Sequence, residues 1–234
     1  MTRTVVISGG GTDIGLATAR CFVADGDQVL LIGRRTEPLE RTTGEVPGAV
    51  PLAANLATVE GTRDAARFIA DELGAVDVLV HTTEPEPGGL AEQGPDRDPV
   101  SVAAHDWTVN FQLNTLTAVL LTEALRDRLA SPGGRVLFLS STGSGAYAAS
   151  KAALHPYAFG LARQLSHRGI TVNLVSPGPR ETDGEAGGEA DGGGPGDVAE
   201  TLHWLGSHSA GHITAQVIQV NGAALRGHSS AASG

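Results

Sequence analysis

Short apolar runs alternate along this chain with stretches in which apolar residues recur every three or four positions. The runs are rich in Val, Ile and Leu, are bounded by polar or glycine-containing segments, and predict strands at Thr4–Ser8, Gln28–Gly33, Ala49–Ala53, Val76–His81, Gly134–Ser140, Thr171–Val175 and Gln216–Val220. The spacing between them predicts helices at Ile14–Asp25, Thr58–Leu73, Asp106–Leu129, Tyr147–His167 and Asp197–Leu205. Strands that are apolar at nearly every position are typical of a parallel sheet buried on both faces. The pattern therefore predicts an α/β fold: a doubly wound, about seven-stranded parallel sheet with helices on both faces.

Three segments do not fit this alternation: Glu84–Ala104, Glu181–Gly196 and the tail Gly227–Gly234. The second contains the acidic, glycine-rich run EAGGEADGGGPG, which predicts a flexible surface loop. Long loops in compact domains are often lids over binding sites, although a tolerated exposed insertion fits this composition equally well. We expect one domain over residues 1–226, a flexible lid over 181–196 and a disordered tail over 227–234.

Composition and charge restrict the partners of the protein. The 234 residues carry a formal net charge of -10, which argues against nucleic acids and anionic membranes as partners because both require clustered Lys and Arg. Cys21 is the only cysteine, so no internal disulfide is possible. Met1 leads directly into an apolar strand, and no apolar run approaches the ~18 residues of a membrane span, so we expect a cytoplasmic protein. No pair of histidines has the close spacing of metal ligands, and we predict no metal site.

The first strand leads into the turn Ser8-Gly9-Gly10-Gly11-Thr12-Asp13-Ile14-Gly15, and a helix follows at once. Glycines allow the backbone to approach a diphosphate, and the N-terminus of the helix attracts its charge. The common GxGxxG fingerprint does not fit, because Ile14 stands at its sixth position. The turn instead resembles the Thr-Gly-x-x-x-Gly-x-Gly turn of the short-chain dehydrogenase/reductase family, with Asp13 in place of the middle glycine. We expect Asp13 to cap the helix, and the resemblance implies a Rossmann-like dinucleotide site that includes Gly9, Gly11, Thr12, Asp13, Ile14 and Gly15.

The end of the second strand indicates which dinucleotide is bound. An acidic residue at this place binds the ribose hydroxyls of NAD, whereas arginine accommodates the additional phosphate of NADP. Here Gly33 stands where NAD-binding proteins have the acidic residue, and Arg34 and Arg35 follow it. Within the family this arrangement implies NADP (NADPH). Asn55-Leu56, after the third strand, resembles the family's Asp-Val pair beside the adenine.

Tyr147 and Lys151 lie four residues apart at the start of a predicted helix, so both side chains lie on one face. The nearby ammonium favours the phenolate and makes Tyr147 a usable general acid, as carbonyl reduction requires. In the family such a lysine also holds the nicotinamide ribose. Ser141, with Ser140 as second choice, resembles the catalytic serine that hydrogen-bonds the substrate oxygen. Asn110 resembles the asparagine that holds a water in the proton relay, although a purely structural asparagine is the competing interpretation.

The remainder of the resemblance extends over nearly the whole chain. Pro177, Gly178 and Thr182 are similar to the Pro-Gly-x-x-x-Thr stretch that contacts the nicotinamide. The main departure is His81-Thr82-Thr83-Glu84, where the family usually has Asn-Asn-Ala-Gly. We expect His81 to be a hydrogen-bonded core or edge residue and not a metal ligand. The connection from Ser141 to Tyr147 is about half as long as in most members of the family. The wall of the substrate pocket must therefore differ from theirs.

Three functions compete at this point. The first is an NADPH-dependent ketone reductase, and the second is a reductase of quinones that serves a partner oxygenase. The third is a non-catalytic dinucleotide-binding protein on the same fold, suggested by Asp13, Glu84 and the short loop. A composition rich in Gly and Ala and poor in Lys suggests a high-GC bacterial source, where such reductases act on aromatic polyketides in antibiotic biosynthesis.

The predicted helix Asp106–Leu129 carries more leucine than one face of a sheet requires, although a helix buried within the subunit is an alternative explanation. The leucines concerned are Leu113, Leu116, Leu120, Leu121 and Leu125. Together with the family resemblance they predict a homo-oligomer, most simply a tetramer.

Overall fold

The computed structural model describes residues 2–83, 98–178 and 193–221. Within them seven strands form one sheet in the order β3-β2-β1-β4-β5-β6-β7, and every neighbouring pair is parallel. The strands are β1 (Thr4–Ser8), β2 (Gln28–Gly33), β3 (Ala49–Ala53), β4 (Val78–His81), β5 (Arg135–Leu139), β6 (Thr171–Pro177) and β7 (Val217–Val220). The predicted doubly wound sheet is confirmed. Because the strand order reverses between β1 and β4, a crevice for ligands is expected where these two strands end.

The helices pack on both faces of the sheet. They are α1 (Asp13–Ala24), α2 (Thr36–Glu45), α3 (Val59–Glu72), α4 (Pro99–Asn110), α5 (Thr117–Leu125), α6 (Gly145–Ala152), α7 (Leu154–Leu165) and α8 (Pro195–Gly206). Successive side chains of a strand point to opposite faces. Val6 of β1 accordingly packs in a cluster with residues of α3, α5 and α7, whereas Val5 and Ile7 pack with residues of α1, α2 and α8.

Helix α2 was not predicted. Its ten residues TEPLERTTGE are mostly polar, and only Leu39 and Thr42 are buried, so the helical period is too weak to recognise. The helix is held by contact with the sheet, since Leu39 packs under Gly33 at the end of β2.

The predicted helix Asp106–Leu129 differs from the structure at both ends and in the middle. Helix α4 begins earlier, at Pro99, because Asp98 caps it and proline is favourable at the first helical position. A π-helical segment, Phe111–Leu116, then joins α4 to α5. Leu121 and Leu125 are fully buried in the core of the subunit, so they do not count towards an oligomer interface, while Leu116 is 40% exposed.

The predicted helix Tyr147–His167 is divided into α6 and α7 at Ala153. Pro156 is the reason, because its ring conflicts with the carbonyl four residues earlier and it has no N–H to donate. The division ends α6 one residue after Lys151.

Several expectations lie outside the described residues. These are most of the predicted lid at 181–196, the tail at 227–234, and the site residue Thr182. Within the described ranges, none of the helices is both long and apolar enough to cross a membrane.

Candidate active site

The turn after β1 is shaped by glycines that cannot be replaced without a clash. Gly9 has φ +85°, and a Cβ on it would lie 2.6 Å from the backbone of Thr82 and Thr83. A Cβ on Gly15 would lie 2.4 Å from the carbonyl oxygen of Gly9. The turn is thus folded tightly against the residues that follow β4, and the first turn of α1 begins directly behind it.

Thr12, and not Asp13, caps helix α1. The Thr12 Oγ1 accepts a hydrogen bond from the Gly15 N–H at 3.0 Å and donates to the Gly9 carbonyl at 2.9 Å. Asp13 is the first helical residue and is exposed, so our expectation that it caps the helix was wrong. Its carboxylate still interacts favourably with the helix dipole. The N–H groups of Asp13 and Ile14 have no intrahelical acceptor and are suited to an anion.

Arg34 and Arg35 follow β2 and are both exposed. Since β2 is the parallel neighbour of β1, the two arginines follow the strand at the same edge of the sheet as the glycine turn. Gly33 precedes them. A Cβ added to Gly33 would lie 3.2 Å from the Leu39 side chain, so glycine at this position leaves room for that leucine. This edge therefore combines a tight glycine turn with two arginines.

Asn55 and Leu56 follow β3 at the same edge. Leu56 is buried, whereas Asn55 is exposed and its Oδ1 accepts a hydrogen bond from the Ala57 N–H at 3.2 Å. The side chain thus stabilises its own turn, and the second lone pair of the oxygen remains suited to a ligand.

Tyr147 and Lys151 lie one turn apart on α6, as predicted. Tyr147 is half-buried, and Lys151 is 1% exposed with its Nζ donating a hydrogen bond to the Thr83 carbonyl. A buried ammonium must be compensated, because removing it from water is costly. The helix that carries the tyrosine is therefore tied through Lys151 to the chain beside the glycine turn.

The two candidate serines differ in their surroundings. Ser140 is buried, and its Oγ lies 2.6 Å from Nε2 of His155. Ser141 is half-buried, and its Oγ accepts a hydrogen bond from the Gly143 N–H at 3.1 Å. Ser141 Oγ donates no hydrogen bond to any residue in the described ranges, so its hydrogen can bond a substrate oxygen, which favours Ser141 over Ser140.

The short connection after β5 is attached to the end of β6. Thr142 Oγ1 donates a hydrogen bond to the Pro177 carbonyl at 3.0 Å, and the Gly178 N–H donates to Val220 at 2.8 Å. Pro177 and Gly178 are buried. These contacts hold together the predicted nicotinamide end of the site.

Two asparagines on consecutive helical turns have different roles. The Nδ2 of Asn110 donates to the carbonyl and to Oδ1 of Asp106 on its own helix, each at 3.0 Å. Asn114, in the π-helical segment, is fully buried and donates from Nδ2 to Ser150 Oγ on α6 at 3.0 Å. Its Oδ1 has no hydrogen-bond partner in the described part of the chain. Sequence reasoning missed Asn114, although it stands in the same helical stretch as Asn110.

His81 is a core residue, as expected. Its Nδ1 lies 3.0 Å from Ser8 Oγ, its Nε2 lies 2.9 Å from Thr122 Oγ1, and the ring stacks on Phe138. Burial, followed by the nearby charge of Lys151, lowers the pKa of His81 to about 3. The ring is therefore neutral and structural at physiological pH. Among the described residues, no group of three or more potential metal ligands is found.

Known proteins resemble this chain in both sequence and fold. The family model described as short chain dehydrogenase matches residues 3–191. The cyclic-di-GMP-binding biofilm dispersal mediator protein of Escherichia coli K12 is 31% identical, over 94% of this chain and 96% of that protein. A solved dehydrogenase/reductase from Sinorhizobium meliloti 1021 is 28% identical, with a TM-score of 0.80 and 96% of each chain covered. BdcA in complex with NADPH is 30% identical, with a TM-score of 0.75, covering 94% of this chain and 93% of BdcA. The chain belongs to the short-chain dehydrogenase/reductase family of oxidoreductases.

Proposed function

We propose that this protein is an NADPH-dependent reductase that transfers hydride to a ketone. The observation that carries the proposal is the position of Lys151, which is buried one turn from Tyr147 and bonded to Thr83, while the Thr83 backbone lies against Gly9. The helix that carries Tyr147 is thereby tied to the chain beside the glycine turn, which supports a proton donor next to a bound dinucleotide.

The residues present fit NADPH. The glycines of the turn carry no side chain that would keep a diphosphate from its N–H groups, and Arg34 and Arg35, exposed after β2, would bind the additional phosphate. Asn55 and Leu56 would contact the adenine, and Pro177, Gly178 and Thr182 the nicotinamide. The NADPH complex of BdcA supports this cofactor. When bound, NADPH supplies the hydride.

The chain's own residues provide the remaining chemistry. Tyr147 donates a proton to the carbonyl oxygen, and Ser141 donates a hydrogen bond to the same oxygen. Lys151 stabilises the phenolate that remains and holds the nicotinamide ribose. For the asparagine of the proton relay we now favour Asn114 over Asn110, because only Asn114 presents an unpaired buried oxygen beside α6.

The length of the connection between Ser141 and Tyr147 bears on the size of the substrate. Only five residues separate Ser141 from Tyr147, so this connection covers less of the site than a longer loop would. We therefore infer that bulky ketones, including those of aromatic polyketides, are better candidates than small ones.

A non-catalytic dinucleotide-binding protein is the second candidate. The Escherichia coli relative is named for binding cyclic di-GMP, which is the observation that favours this candidate. This candidate predicts a bound nucleotide without turnover.

One experiment separates the two candidates. The purified protein is titrated with NADPH, NADH and cyclic di-GMP, and NADPH oxidation is then followed with a panel of ketones and quinones. Preferential NADPH binding with oxidation by ketones supports the reductase. Tight binding of cyclic di-GMP with no oxidation by any acceptor supports the binding protein.

A further inference from the structure

Thr83 connects two parts of the candidate site. Its backbone nitrogen lies 2.6 Å from the position of a Cβ added to Gly9, so it is in contact with the glycine turn after β1. Its carbonyl accepts the hydrogen bond of the Lys151 ammonium. One residue therefore lies between the diphosphate end of the site and the lysine on α6.

The hydroxyl of Thr83 lacks a hydrogen-bond partner in the part of the chain that the structure describes. Its Oγ1 is buried. The neighbouring Thr82 differs, since its Oγ1 donates to the Ser8 carbonyl at 2.9 Å and ties β4 to β1. Buried polar groups are nearly always hydrogen-bonded, and an exception at a site indicates a missing partner.

We propose that the Thr83 hydroxyl binds the nicotinamide ribose of the dinucleotide. This inference rests on the proposed function only as far as cofactor binding. A ribose hydroxyl can both donate and accept, as can threonine. The ribose is favoured over the adenosine end because Thr83 is bonded to Lys151, whereas Arg34 and Arg35 follow a different strand.

Thr83→Val tests the proposal because valine keeps the shape of threonine and removes only the hydroxyl. Loss of one hydrogen bond between neutral groups should weaken NADPH binding about 3- to 10-fold. Binding of adenosine 2′,5′-bisphosphate, which contains only the adenosine end of NADPH, should not change. Thr83→Ser should restore NADPH affinity.

Thermal unfolding without ligand distinguishes this role from a structural one. Thr83→Val should leave the Tm unchanged or raise it, because the hydroxyl makes no hydrogen bond to any residue that the structure describes. Thr82→Val is the matched control and should lower the Tm, since it breaks the bond to Ser8.

Equal NADPH affinity in the wild type and Thr83→Val would overturn the proposal and leave the proposed function intact. A lower Tm together with equal weakening of both ligands would also overturn it, because the hydroxyl would then be structural. Failure of the wild type to bind either NADPH or NADH would overturn both.

Discussion

Acidification should destabilise the fold through His81. Thr122 Oγ1 donates to the Ala118 carbonyl, so it accepts a hydrogen bond from Nε2 of His81, and Nδ1 accepts from Ser8. A second proton on the ring would remove the acceptor at Nδ1 and place a charge in the core. Burial is accordingly the main cause of the low pKa, about 3 against an ordinary value of 6.5.

The sign and size of the effect follow from proton linkage. Between pH 6.5 and 3 the unfolded chain binds a proton at His81 that the folded chain does not, so stability is lost as the pH falls below 6.5. For these two pKa values the loss is about 2 kcal/mol on going from about pH 7.5 to about pH 5.

Urea unfolding of the wild type and His81→Asn at both pH values measures this loss. Asparagine does not titrate but keeps a donor and an acceptor for Ser8 and Thr122. The free energy of unfolding should fall about 2 kcal/mol further in the wild type than in the variant, because all other titrating groups contribute equally to both. The same pH dependence in both proteins would show that His81 is not kept neutral by the fold.

Three further predictions concern the site and the assembly. Replacing Arg34 and Arg35 by Ala should cost about 1–3 kcal/mol of NADPH binding and leave NADH almost unaffected, and equal loss of both cofactors in titrations would contradict the NADP assignment. Asn114→Ala should lower turnover far more than Asn110→Ala in steady-state assays, because only Asn114 bonds to α6; the opposite order would restore Asn110 to the relay. Light scattering at micromolar concentration should show a homo-oligomer, and Leu116→Lys should weaken it because this side chain is 40% exposed; a monomeric wild type would refute this prediction.

The inner strands of the sheet were predictable because they are buried on both faces, unlike the edge strands β3 and β7. Residues such as Val5, Val6 and Ile7 are all fully buried, so each inner strand reads as a continuous apolar run that needs no alternation to be recognised. Helix α2 was not predictable, because tertiary contact through Leu39 and not an apolar period holds it in place.

Tyr147 and Lys151 could be predicted from the sequence, because their four-residue spacing places both side chains on one face of a helix. The sequence could not distinguish Asn110 from Asn114, because both lie on one helical stretch four residues apart. Asn114 lies in the π-helical segment and bonds to Ser150 of α6, and the sequence pattern shows neither the π-helical turn nor this contact. The capping role of Thr12 was recognisable in principle, since threonine is a favourable cap.

Tyr147→Phe in a ketone reduction assay tests the central claim most directly. The change removes the transferable proton and keeps the ring, so turnover should fall about 10²–10⁴-fold, the usual contribution of a general acid. NADPH affinity, measured by titration of the same variant, should stay unchanged because we assign the ribose contact to Lys151 and Thr83. Near-normal turnover of Tyr147→Phe, or no turnover by the wild type with any ketone, would contradict the account.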